Sequence, residues 1–133
     1  MGEVAKGARS SGAATIGVIP EPLKKVEFED AQASHMHVVT NMRTRKAKIE
    51  DLADAFIILP GGIGTLEEFF EIWVGHYLKF HTKPVVILDP FEVYAPLHEL
   101  IVHLEDEKFI KPGMREIVQW TTNVEDALKA CGA

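Results

Sequence analysis

The sequence has one cysteine, Cys131, so no disulfide can close within the chain, and a reducing, intracellular setting is expected. It has no apolar run near the ~20 residues that a membrane span needs. Its first residues, Met1 to Ser11, are polar and alanine-rich, without the apolar core of a signal peptide. Positive charge is also scarce. Fourteen Lys and Arg stand against 20 Asp and Glu, a net charge of −6 with histidines neutral, which argues against an extended nucleic-acid surface. There is no internal repeat, no low-complexity tract and no linker long enough to separate domains. What is present is 133 residues, 47% hydrophobic and 26% charged, ordinary proportions for a globular chain with one core. The expectation is a soluble, cytoplasmic protein with a single domain over residues 1–133.

Apolar runs alternate with amphipathic stretches along the chain. Val4, Ala5 and Ala8 predict a short helix ended by Gly12. Ala14 to Ile19 reads as a buried strand stopped by Pro20 and Pro22, and His37 to Thr40 as a short strand. Met42 to Ala53 has helical spacing at Ile49, Leu52 and Ala53. Ala55 to Leu59 is an apolar strand. Leu66, Phe69, Phe70, Trp73 and Tyr77 then fall on one face of a helix. Val85 to Leu88 is another strand, and Phe91 to Leu104 is helical, with Pro96 kinking it or lying near its start. Ile117 to Thr121 is a last strand, followed by a terminal helix over Val124 to Ala130. Continuously apolar strands alternating with helices predict an α/β fold, a Rossmann-like three-layer sandwich whose parallel sheet is covered on both faces. In such folds ligands bind beyond the C-terminal ends of the strands.

The stretch LPGGIGTLEEFFE, residues 59–71, occupies such a place. A strand–loop–helix turn exposes unpaired amides at a helix N-terminus, where the macrodipole favours an anion, and phosphate is the natural guest. Gly61, Gly62 and Gly64 let the backbone come close to that anion, and Thr65 adds a hydroxyl. No Gly-Lys-Ser/Thr follows, so this is not a Walker loop, and the dinucleotide G-x-G-x-x-G is absent. The same residues also fit a capping box, in which Thr65 caps the amide of Glu68 and Glu68 reaches back. The second feature is NMRTRKAKI, residues 41–49, where Arg43, Arg45, Lys46 and Lys48 place four cations in an acidic chain. They read either as a solvated helix face or as charges that face the same anion as the glycine loop.

PGGIGTLEE (Pro60 to Glu68) and MRTRKA (Met42 to Ala47) together resemble P-G-G-x-G-T-x-x-E and M-H-x-R-K-A of the Lonely Guy family, the cytokinin riboside 5′-monophosphate phosphoribohydrolases, often labelled lysine decarboxylases. MGEVAKGARSSGAATIGVIP, FEIW and HTKPV resemble the family's neighbouring segments, so the resemblance covers nearly the whole chain. Arg43 and Thr44 stand where the family usually has His and Glu, while Arg45 and Lys46 are retained. The family normally carries a preceding βαβ portion, so the resemblance implies a sequence truncated at its N-terminus.

The resemblance implies cleavage of the N-glycosidic bond of an N6-substituted adenosine 5′-monophosphate through an oxocarbenium-like transition state. Gly61, Gly62, Gly64 and Thr65 would hold the phosphate, Glu68 and Arg45 would be catalytic, and Met42 and Lys46 would contact the nucleotide. It also implies at least a homodimer, with the glycine-motif helix near the interface. No cofactor is implied, since decarboxylation would need a pyridoxal phosphate lysine and its partners, which nothing here specifies. No metal is expected either: His35 and His37 lack a Cys or an acidic cluster to complete a ligand set. Trp73 is expected in the core, with a place lining the base pocket as the alternative. Two other functions fit the same loop: a non-catalytic nucleotide or cofactor carrier, and a hydrolase of plain adenosine monophosphate.

Overall fold

The computed structural model describes residues 2–24 and 30–132; Met1, which opens the M-G-x-V-A stretch, lies outside them. The architecture is α/β, with parallel strands in two sheets and helices between them, consistent with a Rossmann-like sandwich. The chain forms two compact units, Met1–Leu52 and Ala53–Ala133. No helix among the described residues is long and apolar enough to cross a membrane.

The first unit holds α1 (Gly2–Ser10), β1 (Ile16–Pro20), a 3-10 turn (Glu21–Leu23), β2 (His35–Val39) and α2 (Met42–Leu52). Gly12, at φ 82°, ends α1 in the left-handed region that glycine enters without a Cβ penalty. β1 and β2 pair in parallel, from Ile16 opposite His35 to Pro20 opposite Val39. Pro20 is thus the last strand residue rather than the one beyond it. Gly17 leaves room for its partner's side chain, because a Cβ there would come within 2.7 Å of Met36 Sδ. The Arg9 guanidinium ties the end of α1 to Thr15 Oγ1 at 3.1 Å and to Asp30 Oδ2 at 2.7 Å. That hydrogen bond, helped by the Gln32 amide, holds the Asp30 carboxyl below its ordinary value. Among the described residues the buried apolar set is small: no residue of α1 or α2 is buried, and in β1 only Ile19 and Pro20 are.

The second unit holds β3 (Phe56–Ile58), α3 (Ile63–Tyr77), β4 (Val85–Leu88), α4 (Ala95–Asp106), a 3-10 turn (Arg115–Ile117), β5 (Val118–Thr121) and α5 (Val124–Ala130). Its sheet runs β3-β4-β5, all parallel. The continuous run VVIL of β4 is buried on both faces, and the period-2 geometry of a strand divides it. Val85 and Ile87 join Phe69, Trp73, Tyr94, Ile101 and Ile110 in a core under α3 and α4. Val86 and Leu88 pack with Ala127 of α5 on the other face. Each large apolar side chain so buried stabilises the unit by about 1.5–3 kcal/mol. Trp73 lies in the first of these cores as expected, with its indole N–H donating to the Met114 carbonyl at 2.7 Å.

α4 starts at Ala95, later than the periodicity from Phe91 predicts. Asp89 accepts the amides of Val93 and Tyr94, at 3.0 and 2.6 Å, and Glu92 takes φ 56°, so residues 89–94 form a fixed loop instead.

Candidate functional site

Each unit places one of the two sequence motifs after the C-terminal end of a parallel strand. In the second unit, β3 ends at Ile58, residues 59–62 form the turn, and α3 begins at Ile63. Gly62 is the residue that caps the helix. Its backbone is extended (φ −88°, ψ −159°), and as glycine it has no side chain to accept a bond from the first turn. The first backbone bond across the helix opening runs from the Leu66 amide to the Gly62 carbonyl at 3.2 Å. The amides of Ile63, Gly64 and Thr65 precede it, so α-helical geometry supplies them with no acceptor within the helix.

The capping box expected at Thr65 and Glu68 is therefore not formed. The helix starts early enough that Thr65 is its third residue, and its side chain turns back onto Gly61. A Cβ on Gly61 would overlap Thr65 Oγ1 and lie 3.0 Å from Thr65 Cβ. That close approach, rather than a positive φ, is what requires glycine at this position. Gly62 and Gly64 face open space.

Glu68 follows Thr65 by three residues and Gly64 by four, which puts it on the same helix face, one turn further in. Of the two adjacent glutamates, Glu67 is exposed and Glu68 half-buried. Gly61, Gly62, Gly64, Thr65 and Glu68 thus form one contiguous cluster, with backbone donors at its mouth and a carboxylate behind them. Along the other side of α3, Ile63, Phe70, Val74 and Leu78 recur at helical spacing and remain 87%, 40%, 40% and 51% exposed.

In the first unit, β2 ends at Val39 and α2 begins at Met42. Here the first turn is closed by side chains. Asn41 Oδ1 accepts the Thr44 amide at 3.0 Å, and Thr44 Oγ1 accepts the Asn41 amide at 3.1 Å. This reciprocal pair satisfies two amides in the manner of a capping box. Met42, Arg45 and Lys46 fall at i, i+3 and i+4 and share a face. Arg45 is half-buried and its Nε donates to the Val18 carbonyl of β1 at 3.3 Å, which fixes the direction of the guanidinium. Arg43 is exposed, and Thr44 has its capping task, so the two departures from the family motif leave the Arg45–Lys46 pair in place.

Tyr94 is a residue that sequence reasoning misses. Its hydroxyl meets the Gly61 amide at 2.7 Å and the Gly61 carbonyl at 2.9 Å. No local motif marks it, because the partner is backbone supplied by a distant turn.

Similarity to known proteins covers almost the whole chain. The family described as "Possible lysine decarboxylase" matches residues 1–131. A cytokinin riboside 5′-monophosphate phosphoribohydrolase of Mycobacterium tuberculosis is 43% identical over 131 residues, which are 98% of this chain and 70% of that protein. One from Rhodococcoides fascians is also 43% identical over 131 residues, covering 98% of this chain and 66% of its own. An Arabidopsis thaliana protein of the same name is 36% identical over 129 residues, 97% of this chain and 60% of the relative.

Proposed function

The chain belongs to the family described as possible lysine decarboxylases, and we propose that, as a phosphoribohydrolase, it cleaves the N-glycosidic bond of an N6-substituted adenosine 5′-monophosphate. Water adds to C1′ of the ribose, the base leaves with a proton, and ribose 5-phosphate is the second product. The curated relatives are named for hydrolysis of a riboside monophosphate, not for decarboxylation. The observation that carries the reading is the α3 opening: a glycine turn, three helix amides behind an N-cap residue that has no capping side chain, and a half-buried carboxylate one turn behind.

The roles follow from the chemistry of those groups. Gly62, Ile63, Gly64 and Thr65 present amides, and Thr65 a hydroxyl, to the 5′-phosphate, and Gly61 lets Thr65 fold tightly against the turn. Glu68 stabilises the ribosyl cation or activates the water, and a base in the latter role contributes about 10²–10⁴-fold. The guanidinium of an arginine suits it to orient the nucleotide and to offset the charge that grows on the departing base, and we assign that role to Arg45. Met42 and Lys46, on the same helix face as Arg45, contact the ligand. A cytoplasmic homodimer completes the reading, and the exposed apolar stripe of α3 supports self-association.

The test is release of ribose 5-phosphate from N6-isopentenyl-adenosine monophosphate and from adenosine monophosphate, with Glu68→Gln alongside. Wild-type release and a variant slowed about 10²-fold or more with nucleotide binding kept are the expected results. A variant at the wild-type rate would remove Glu68 from the chemistry. Equal rates on the two substrates would remove the N6 substituent from the specificity.

A further inference from the structure

The first glycine of the loop has neither of its backbone polar groups free for a ligand. The Gly61 amide donates to the Tyr94 phenol oxygen at 2.7 Å, and the same hydroxyl donates back to the Gly61 carbonyl at 2.9 Å, with the Leu59 carbonyl at 3.4 Å. Tyr94 is buried, and a buried hydroxyl is tolerated only when hydrogen-bonded. Here its partners are the backbone of the turn itself. Tyr94 is in turn held in place: Asp89, buried just beyond β4, accepts the Tyr94 amide at 2.6 Å and the Val93 amide at 3.0 Å. The Asp89 amide donates to the Thr121 carbonyl of β5 at 2.8 Å. A chain of bonds thus runs from the end of β5 through Asp89 and Tyr94 to the glycine turn.

A turn with two adjacent glycines has more backbone freedom than any other sequence allows, and that freedom works against a single arrangement of donors. We propose that Tyr94, held by Asp89, is the positioning residue of the glycine turn: it fixes Gly61 so that the amides of Ile63, Gly64 and Thr65 converge on one anion. The proposal rests on the reading of this turn as the phosphate site. It makes the Gly61 amide an anchor of the turn rather than a donor to the ligand. Phosphate is held in the substrate and in the transition state alike, so a looser turn raises KM and leaves kcat nearly unchanged.

Tyr94→Phe in the full chain keeps the ring in the core and removes only the hydroxyl. Steady-state release of ribose 5-phosphate, competitive inhibition by inorganic phosphate and the melting temperature are measured together. The expected result is KM and the phosphate inhibition constant both raised roughly three- to tenfold, the worth of one hydrogen bond, with kcat within about twofold. Asp89→Asn is expected to shift both constants the same way, and the double variant by less than the product of the two, since both act through one bond chain. Unchanged constants overturn the proposal. So does a lower melting temperature with reduced specific activity and an unaltered KM, which would make Tyr94 structural only. If the wild-type protein releases no ribose 5-phosphate, the hydrolase reading falls, and calorimetric binding of adenosine monophosphate decides the positioning role instead. Weaker binding by Tyr94→Phe supports it, whereas equal binding, or none by the wild type, overturns it.

Discussion

Two of the helices that follow the C-terminal ends of parallel strands begin in opposite ways. The α2 opening is closed by its own side chains, Asn41 and Thr44, each accepting the other's amide. The α3 opening has Gly62 where a capping side chain would stand, so its N-cap residue offers the first-turn amides no acceptor. A side-chain cap is worth about 1 kcal/mol relative to alanine, and glycine recovers much of that only by letting water reach the amides. A helix that keeps its first turn open therefore keeps it accessible to something that competes with water. In the first unit the charge lies one turn inward, on Arg45 and Lys46. In the second it is the helix terminus that supplies the positive field.

That contrast is broken most directly by giving α3 the cap it lacks. A Cβ at Gly62 meets nothing within 4 Å, and its φ of −88° suits any L-residue. Gly62→Asp is thus expected to leave the fold intact and to put a carboxylate on the first-turn amides. Two measurements should move in opposite directions. Thermal stability rises by a few tenths to about 1 kcal/mol, from capping and the macrodipole. Inhibition by inorganic phosphate weakens roughly a hundredfold, since like charges meeting at one site cost several kcal/mol. A variant that gains stability and still binds phosphate as the wild type does would show that the open terminus is not the anion site.

The converse change is smaller. Asn41→Ala removes the cap from α2, where the amide of Thr44 loses its acceptor. The expected loss is about 1 kcal/mol of stability, read as a lower midpoint in urea, with phosphate inhibition unchanged. Equal losses of phosphate affinity in this variant and in Gly62→Asp would erase the distinction between the two termini.

The same two openings show how far the sequence could be read. Both motifs were visible as motifs, and β4, α5 and the C-terminal end of α3 fall where period and composition place them, because contiguous apolar runs and helical stripes are local signals. The caps were not so legible. Thr65 and Glu68 have the spacing of a capping box, yet the box forms at Asn41 and Thr44, where the sequence offers threonine instead of the usual glutamate. The difference lies in where each helix starts. Two adjacent glycines let α3 begin at Ile63 and carry Thr65 into the helix, where it packs against Gly61, a contact that spacing does not reveal. Tyr94 itself acts through a turn distant in sequence, and no window of residues reveals that. Motif and resemblance single out Glu68 and Arg45. The helix periodicity supports Glu68 behind the glycine turn, while the hydrogen bond from Arg45 to Val18 shows in addition what fixes that guanidinium.

The far end of α3 sharpens the comparison once more, with the smallest effect. α1 ends on a glycine at φ 82°, but α3 ends on Lys79 at φ 64° and α4 on Lys108 at φ 65°. In both of these the next amides bond back to the last turn: Lys79 to His76 and Phe80 to Gly75, each at 2.9 Å, and Lys108 to Glu105 at 2.9 Å with Phe109 to Leu104 at 2.8 Å. This is the bonding of a glycine-ended helix carried by a residue with a Cβ. The left-handed region costs such a residue about 1–2 kcal/mol. Glycine in its place gives back part of that through the greater freedom of the unfolded chain, and the lysine's favourable charge at the helix C-terminus is lost. Lys79→Gly is therefore expected to stabilise by about 0.5 kcal/mol, a melting temperature higher by roughly 1–3 °C, with KM and kcat unmoved. If α3 is open at its start for function and merely imperfect at its end, only the end can be improved without cost to activity. Activity that falls with Lys79→Gly would mean that the two ends of the helix are not independent.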